Sequence, residues 1–121
     1  MIASNFVGER RKDPRVSGNI PVKICQDSGD IITETRNISR SGAYCRVNRY
    51  IEPMTKMKVC LMLPVTKSGR KTARKVSCEG VVVRVEEASE GKAYNIAIFF
   101  SDISPKNAEM ISDYVHAQGI E

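Results

Sequence analysis

Tryptophan is absent, aromatic residues number only seven and there is a single histidine, His116. A barrel that grips single-stranded nucleic acid wants flat rings among its basic residues, so this scarcity argues against that use. His116 has no second histidine, serine motif or cysteine beside it and is read as structural. The four cysteines, Cys25, Cys45, Cys60 and Cys78, stand singly with no C-x-x-C pair, which points to free buried thiols in a reducing compartment and to no metal. There is no G-x-x-x-x-G-K loop, no recognisable nucleophile-and-base motif and no framed carboxylate pair, so an enzyme is not expected. No apolar run approaches the roughly 18 residues of a membrane span. Residues 1–7 are too short for the apolar core of a signal peptide, and the expectation is a cytoplasmic protein with no membrane insertion.

What the chain does have is charge of one sign. Its 121 residues carry a net charge of +5, with 27% charged and 41% hydrophobic residues, the balance of one soluble globular domain with a core of its own. Arg36, Arg40, Arg46 and Arg49 pass with no acid until Glu52, and Lys67, Arg70, Lys71, Arg74 and Lys75 form a second block. Such a surface attracts anions. The second block, around Ser68-Gly69, is read as a solvated loop or hairpin tip.

Short alternating segments fill most of the chain. Asn19–Cys25 puts Ile20, Val22 and Ile24 on one face, and its proline suggests an edge strand. Ile31–Arg36 and Ala43–Val47 follow; Lys56–Leu63 alternates with Pro64 closing it; Val76–Glu86 and Tyr94–Phe100 complete six strands. Strands at this spacing, with turn residues between them, predict a small six-stranded antiparallel β-barrel. Ser104 as N-cap, Pro105 in the first turn and the stripe Ala108, Ile111, Val115 predict a C-terminal α-helix that Gly119 stops.

Two polar runs stand out. Gly8–Arg15 packs Arg10, Arg11 and Arg15 around Pro14, which rules out a continuing helix and leaves an extended lead-in to the first strand. Guanidinium forks match both phosphate and the O6 and N7 acceptors of guanine. Asn37-Ile38-Ser39-Arg40-Ser41-Gly42 is a polar turn between apolar runs, where Gly42 permits close approach or an unusual backbone angle. By itself the first run also fits a solvated basic tail, and the second an ordinary hairpin turn.

Arg-x-x-x-Arg at Arg11 and Arg15, followed by Asn-x-Ser-x-x-Gly at Asn37, Ser39 and Gly42, resembles the PilZ family of bacterial cyclic di-GMP receptors, over residues 9 to 118. The resemblance implies a flexible segment 1–9 and a barrel domain at 10–118 with its C-terminal helix. It implies a receptor whose ligand is cyclic di-GMP, with no cofactor, acting through an unidentified downstream protein. Arg11 and Arg15 would hold guanine and phosphate, Asn37 and Ser39 would meet a guanine edge, and Gly42 would keep the barrel face open. Arg10 adds a third arginine, a position associated in such proteins with an intercalated ligand dimer. Asn37 stands where aspartate is commoner, and Ala97 where glycine often is. The rival expectations are a PilZ-like protein-interaction barrel that binds no nucleotide and a small basic nucleic-acid-binding barrel.

Overall fold

The computed structural model describes residues 15–88 and 92–118; the segment 1–9 and Gly119 lie outside them. Within that range the chain forms β1 (Arg15–Ser17), β2 (Pro21–Cys25), β3 (Ile31–Ser39), β4 (Gly42–Val47), β5 (Lys56–Lys67), β6 (Arg70–Glu87), β7 (Tyr94–Asp102) and α1 (Pro105–Ala117). Every pairing is antiparallel, in the order β1-β3-β2-β5-β6-β7-β4, and a further β3–β4 pairing closes six of the strands into a ring. The expected six-stranded barrel is therefore present, with β1 added to it through β3.

Alternation decides what goes inside. Ile20, Val22 and Ile24, then Met57, Val59, Leu61 and Leu63, then Ile96, Ile98 and Phe100 are buried, and Val76, Val82 and Ile38 join the same core. Helix α1 adds Ile111 and Val115 to it. The helix begins as expected: Ser104 Oγ accepts from the Asn107 N–H at 3.1 Å, with Pro105 in the first turn, where its missing N–H costs nothing. Asn107 also donates from Nδ2 to the Ser77 carbonyl at 3.0 Å, which ties the helix to β6. No helix among the described residues is long and apolar enough to cross a membrane.

Two local expectations change. Pro21 does not mark an edge, since β2 lies between β3 and β5; proline is tolerated there as the first residue of the strand. Pro64 does not end β5, which runs on to Lys67 in register with β6. The basic block is thus the hairpin of the two expected forms, drawn out into a two-stranded ribbon. Its tip is the two-residue turn Ser68–Gly69, with φ of 52° and 78°, the positive values that match the twist of a hairpin.

Candidate ligand site

The short strand β1 exists because it pairs with the far end of β3, in the register Arg15↔Ser39, Val16↔Ile38 and Ser17↔Asn37. That pairing carries Arg15 onto the Asn-x-Ser-x-x-Gly run. The Arg15 guanidinium donates from Nη1 to the Asn37 side-chain oxygen at 2.6 Å. Asn37 and Ser39 belong to β3 and Gly42 opens β4, so the turn itself is only Arg40 and Ser41 and the rest of the run is strand.

A β-bulge makes that arrangement. The β3–β4 register shifts between Thr35 and Asn37, and the extra residue, Arg36, is exposed. Thr35 and Ile38 are consequently both buried although three apart. The polar side chain of Thr35 is buried with both of its bonds made. Its hydroxyl donates to the Gly18 carbonyl at 2.5 Å and accepts from the Ile20 N–H at 3.1 Å. It fixes the link between β1 and β2, and with it the position of Arg15.

Ser39 is buried, and its hydroxyl accepts from the Ser41 N–H at 3.2 Å, which shapes the two-residue turn. Gly42 does not need a positive φ. A β-carbon there would run into the Ile98 carbonyl oxygen of β7, so glycine is what lets β4 lie against β7.

Beside Asn37, the cross-strand row Asn37, Tyr44, Ala97, Arg84 runs over β3, β4, β7 and β6. The Tyr44 hydroxyl donates to Glu86 Oε1 at 3.2 Å, and Arg84 lies 3.7 Å from the other oxygen of that carboxylate. Burial, followed by the nearby Glu86 charge, raises the Tyr44 pKa above its ordinary value. A hollow of about 560 Å³, lined by Asn19, Thr33, Glu34, Thr35, Arg36 and Arg46, opens alongside. The surface therefore offers guanidinium groups and an amide, which suit a hydrogen-bonding anion.

Of the expected site residues, Arg15, Asn37, Ser39 and Gly42 come together; Arg10 and Arg11 lie outside the described residues. Thr35, Tyr44, Arg84 and Glu86 were not anticipated. Arg36 and Arg46 were visible as part of an acid-free block, but nothing placed them at this hollow. His116 is exposed, with Nδ1 2.8 Å from the Ser112 carbonyl. All four cysteines are free, and burial pushes the thiols of Cys45 and Cys78 up to about 12, so both stay protonated at neutral pH.

The fold has counterparts among solved structures. The fold matches the structure of the Bacillus subtilis inhibitor of motility MotI/DgrA with a TM-score of 0.77 and 20% identity, over 90% of this chain and 50% of that one. The chain thus spans about half the length of that protein. It also matches the PilZ domain of YcgR from Escherichia coli, solved with c-di-GMP, with a TM-score of 0.64 and 8% identity over 89% of this chain and 90% of that one. At such identities the likeness is one of fold. No curated protein matches the sequence. The PilZ domain family model matches residues 9–117, nearly the whole chain, and the protein therefore belongs to the PilZ domain family.

Proposed function

We propose that the protein is a cytoplasmic receptor for cyclic di-GMP that signals through altered contacts with a downstream protein and catalyses no reaction. The observation that carries this reading is the Arg15–Asn37 pair, which joins the two polar runs into one surface. A guanidinium fork and an amide can meet guanine and phosphate together. Four residues of extended chain span at most about 14 Å, so Arg11 can reach the face that Arg15 occupies, and Arg10 adds a third cation for a stacked pair of ligands. Ser39 shapes the turn and lies beside Asn37; Gly42 keeps β4 close to β7 and the face above it low.

Each charge-assisted bond to the dianionic ligand is worth about 1.5–3 kcal/mol, set against the entropy of ordering the arginine segment. Arg15 already pairs with Ser39 without nucleotide, and ordering on binding of the segment that leads into it, residues 8–14, is the proposed switch. Gly18, just past β1, sits beside the Tyr114 hydroxyl of α1, 3.1 Å from where a β-carbon would be, which gives the ordered segment a route to the helix. Limited trypsin digestion tests the switch. Cleavage after Arg10, Arg11 and Lys12 should slow when cyclic di-GMP is added; a pattern unchanged by saturating nucleotide counts against it.

A further inference from the structure

The barrel wall made by β2, β5 and β6 carries a second surface, apart from the Arg15–Asn37 site. Residues directly opposite one another in a sheet project to the same side. Ile32, Lys23, Cys60 and Ser77 form one such outward row across β3, β2, β5 and β6, and Met62 with Lys75 lies one step further along. Ile32 is 72% exposed and Met62 41%, and between them is a shallow hollow of about 360 Å³ with Pro21 and Cys60 in its wall and Lys23 and Lys75 at its rim. The same face continues along the ribbon as Pro64–Ala73 and Thr66–Lys71.

The ribbon is basic on both sides: Lys75 and Lys71 project on this face, and Arg74, Arg70 and Lys67 on the other. From Pro53 to Cys78 there is no acidic residue. Set aside Lys67, Arg70, Lys71, Arg74 and Lys75, and the remaining chain has fourteen basic residues against fourteen acidic ones; these five side chains amount to the whole net charge of +5. The pairing of β2 with β5 ends at Leu61, and that of β6 with β7 begins at Glu79, so the ribbon beyond them has open edges among the described residues. Lysines and a proline on open edges discourage pairing with stray strands. That accounts for Pro64 and part of the charge, but not for Ile32 and Met62, which lie on the face of the sheet.

We propose that this face docks an acidic protein segment bearing an apolar side chain, which seats between Ile32 and Met62 while its carboxylates lie along Lys23, Lys75 and Lys71. An unbranched, polarisable methionine suits a surface that must repack around a partner. Nucleic acid brings the charge but nothing to fill the hollow. A membrane surface calls for apolar residues at the ribbon tip, where Ser68 and Gly69 stand. Lys23 already lies 3.5 Å from Asp30, and Glu34 pairs across from Pro21, so an incoming carboxylate meets its competition at that end and the stronger field along the ribbon.

The surface needs no nucleotide to form and is tested without one, independently of the ligand reading. A phage-displayed random peptide library is selected on the wild-type protein and counter-selected on Met62→Asp. Recovered peptides should be acidic with at least one large apolar residue. By fluorescence anisotropy, the affinity of a synthetic version should fall by about tenfold or more in Met62→Asp and in the double variant Lys71→Glu/Lys75→Glu, the size expected of an interface anchor. Ile32→Asp, at a more exposed position, gives the same reading should Met62→Asp melt early. An empty selection, peptides without acids, affinity unmoved by these variants, or tighter binding to a short DNA duplex or to phosphatidylglycerol vesicles overturns the proposal.

Discussion

The guanidinium of Arg15 and the side-chain oxygen of Asn37 are 2.6 Å apart, although 22 residues separate them in the chain. An amide accepts with one oxygen, whereas a carboxylate accepts a guanidinium with two and adds charge. Asn37→Asp should therefore hold β1 more firmly, seen as slower amide exchange at Val16 and Ser17 and a raised melting temperature. Asn37→Ala should act oppositely, at a cost of about 1 kcal/mol. Faster exchange in Asn37→Asp would mean that the pair does not anchor the strand.

Gly42→Ala forces a methyl group against the Ile98 carbonyl, on a backbone that both β4 and β7 hold in place. Overpacking of this kind costs about 1–3 kcal/mol. The urea midpoint should fall accordingly, before any ligand is considered. An unchanged midpoint would show that β4 can move away from β7 at no cost.

Thr35→Val keeps shape and removes the hydroxyl shared by Gly18 and Ile20. The buried Ile20 N–H loses its side-chain acceptor, at a cost of about 1–3 kcal/mol. Thr35→Ser should recover most of the loss, because it restores the hydroxyl. A larger loss in Thr35→Ser than in Thr35→Val would point to packing of the methyl group instead.

The outline of the barrel was legible because burial imposes a period of two, as at Ile20, Val22, Ile24 and Met57 to Leu63. Strand ends were not. Leu63 is the last residue of β5 with a core to face, so the hydrophobic pattern stops there while the hydrogen-bonded ladder continues to Lys67. The bulge at Arg36 hid the strand character of Asn37 and Ser39 by breaking the alternation. Arg15, Asn37 and Gly42 were legible as a motif, but the roles of Thr35 and Tyr44 depend on partners that only folding brings near. Gly42 illustrates the limit, because its spacing marked it while its reason lies in β7.

The buried thiols give an alkaline prediction. Cys45 and Cys78 keep their protons to about pH 12 in the native state, against an ordinary value of 9.0, so the native state binds more protons between those limits. Stability from the neutral thiols is full below pH 9 and is lost as the pH rises toward 12. Urea midpoints should decline over that window, less steeply in Cys45→Ala. At neutral pH, Cys25 and Cys60 should react first with a thiol reagent, and Cys45 and Cys78 only on unfolding. Rapid modification of all four in the native protein would contradict this.

The central claim is that the joined arginine and asparagine runs form a receptor site for cyclic di-GMP, and calorimetric titration of that nucleotide into the wild type and into Arg15→Ala tests it most directly. The account predicts micromolar or tighter binding, about −8 kcal/mol or better, lost in Arg15→Ala while the variant stays folded by its melting curve. No heat in the folded wild type, or equal affinity in both proteins, would contradict it.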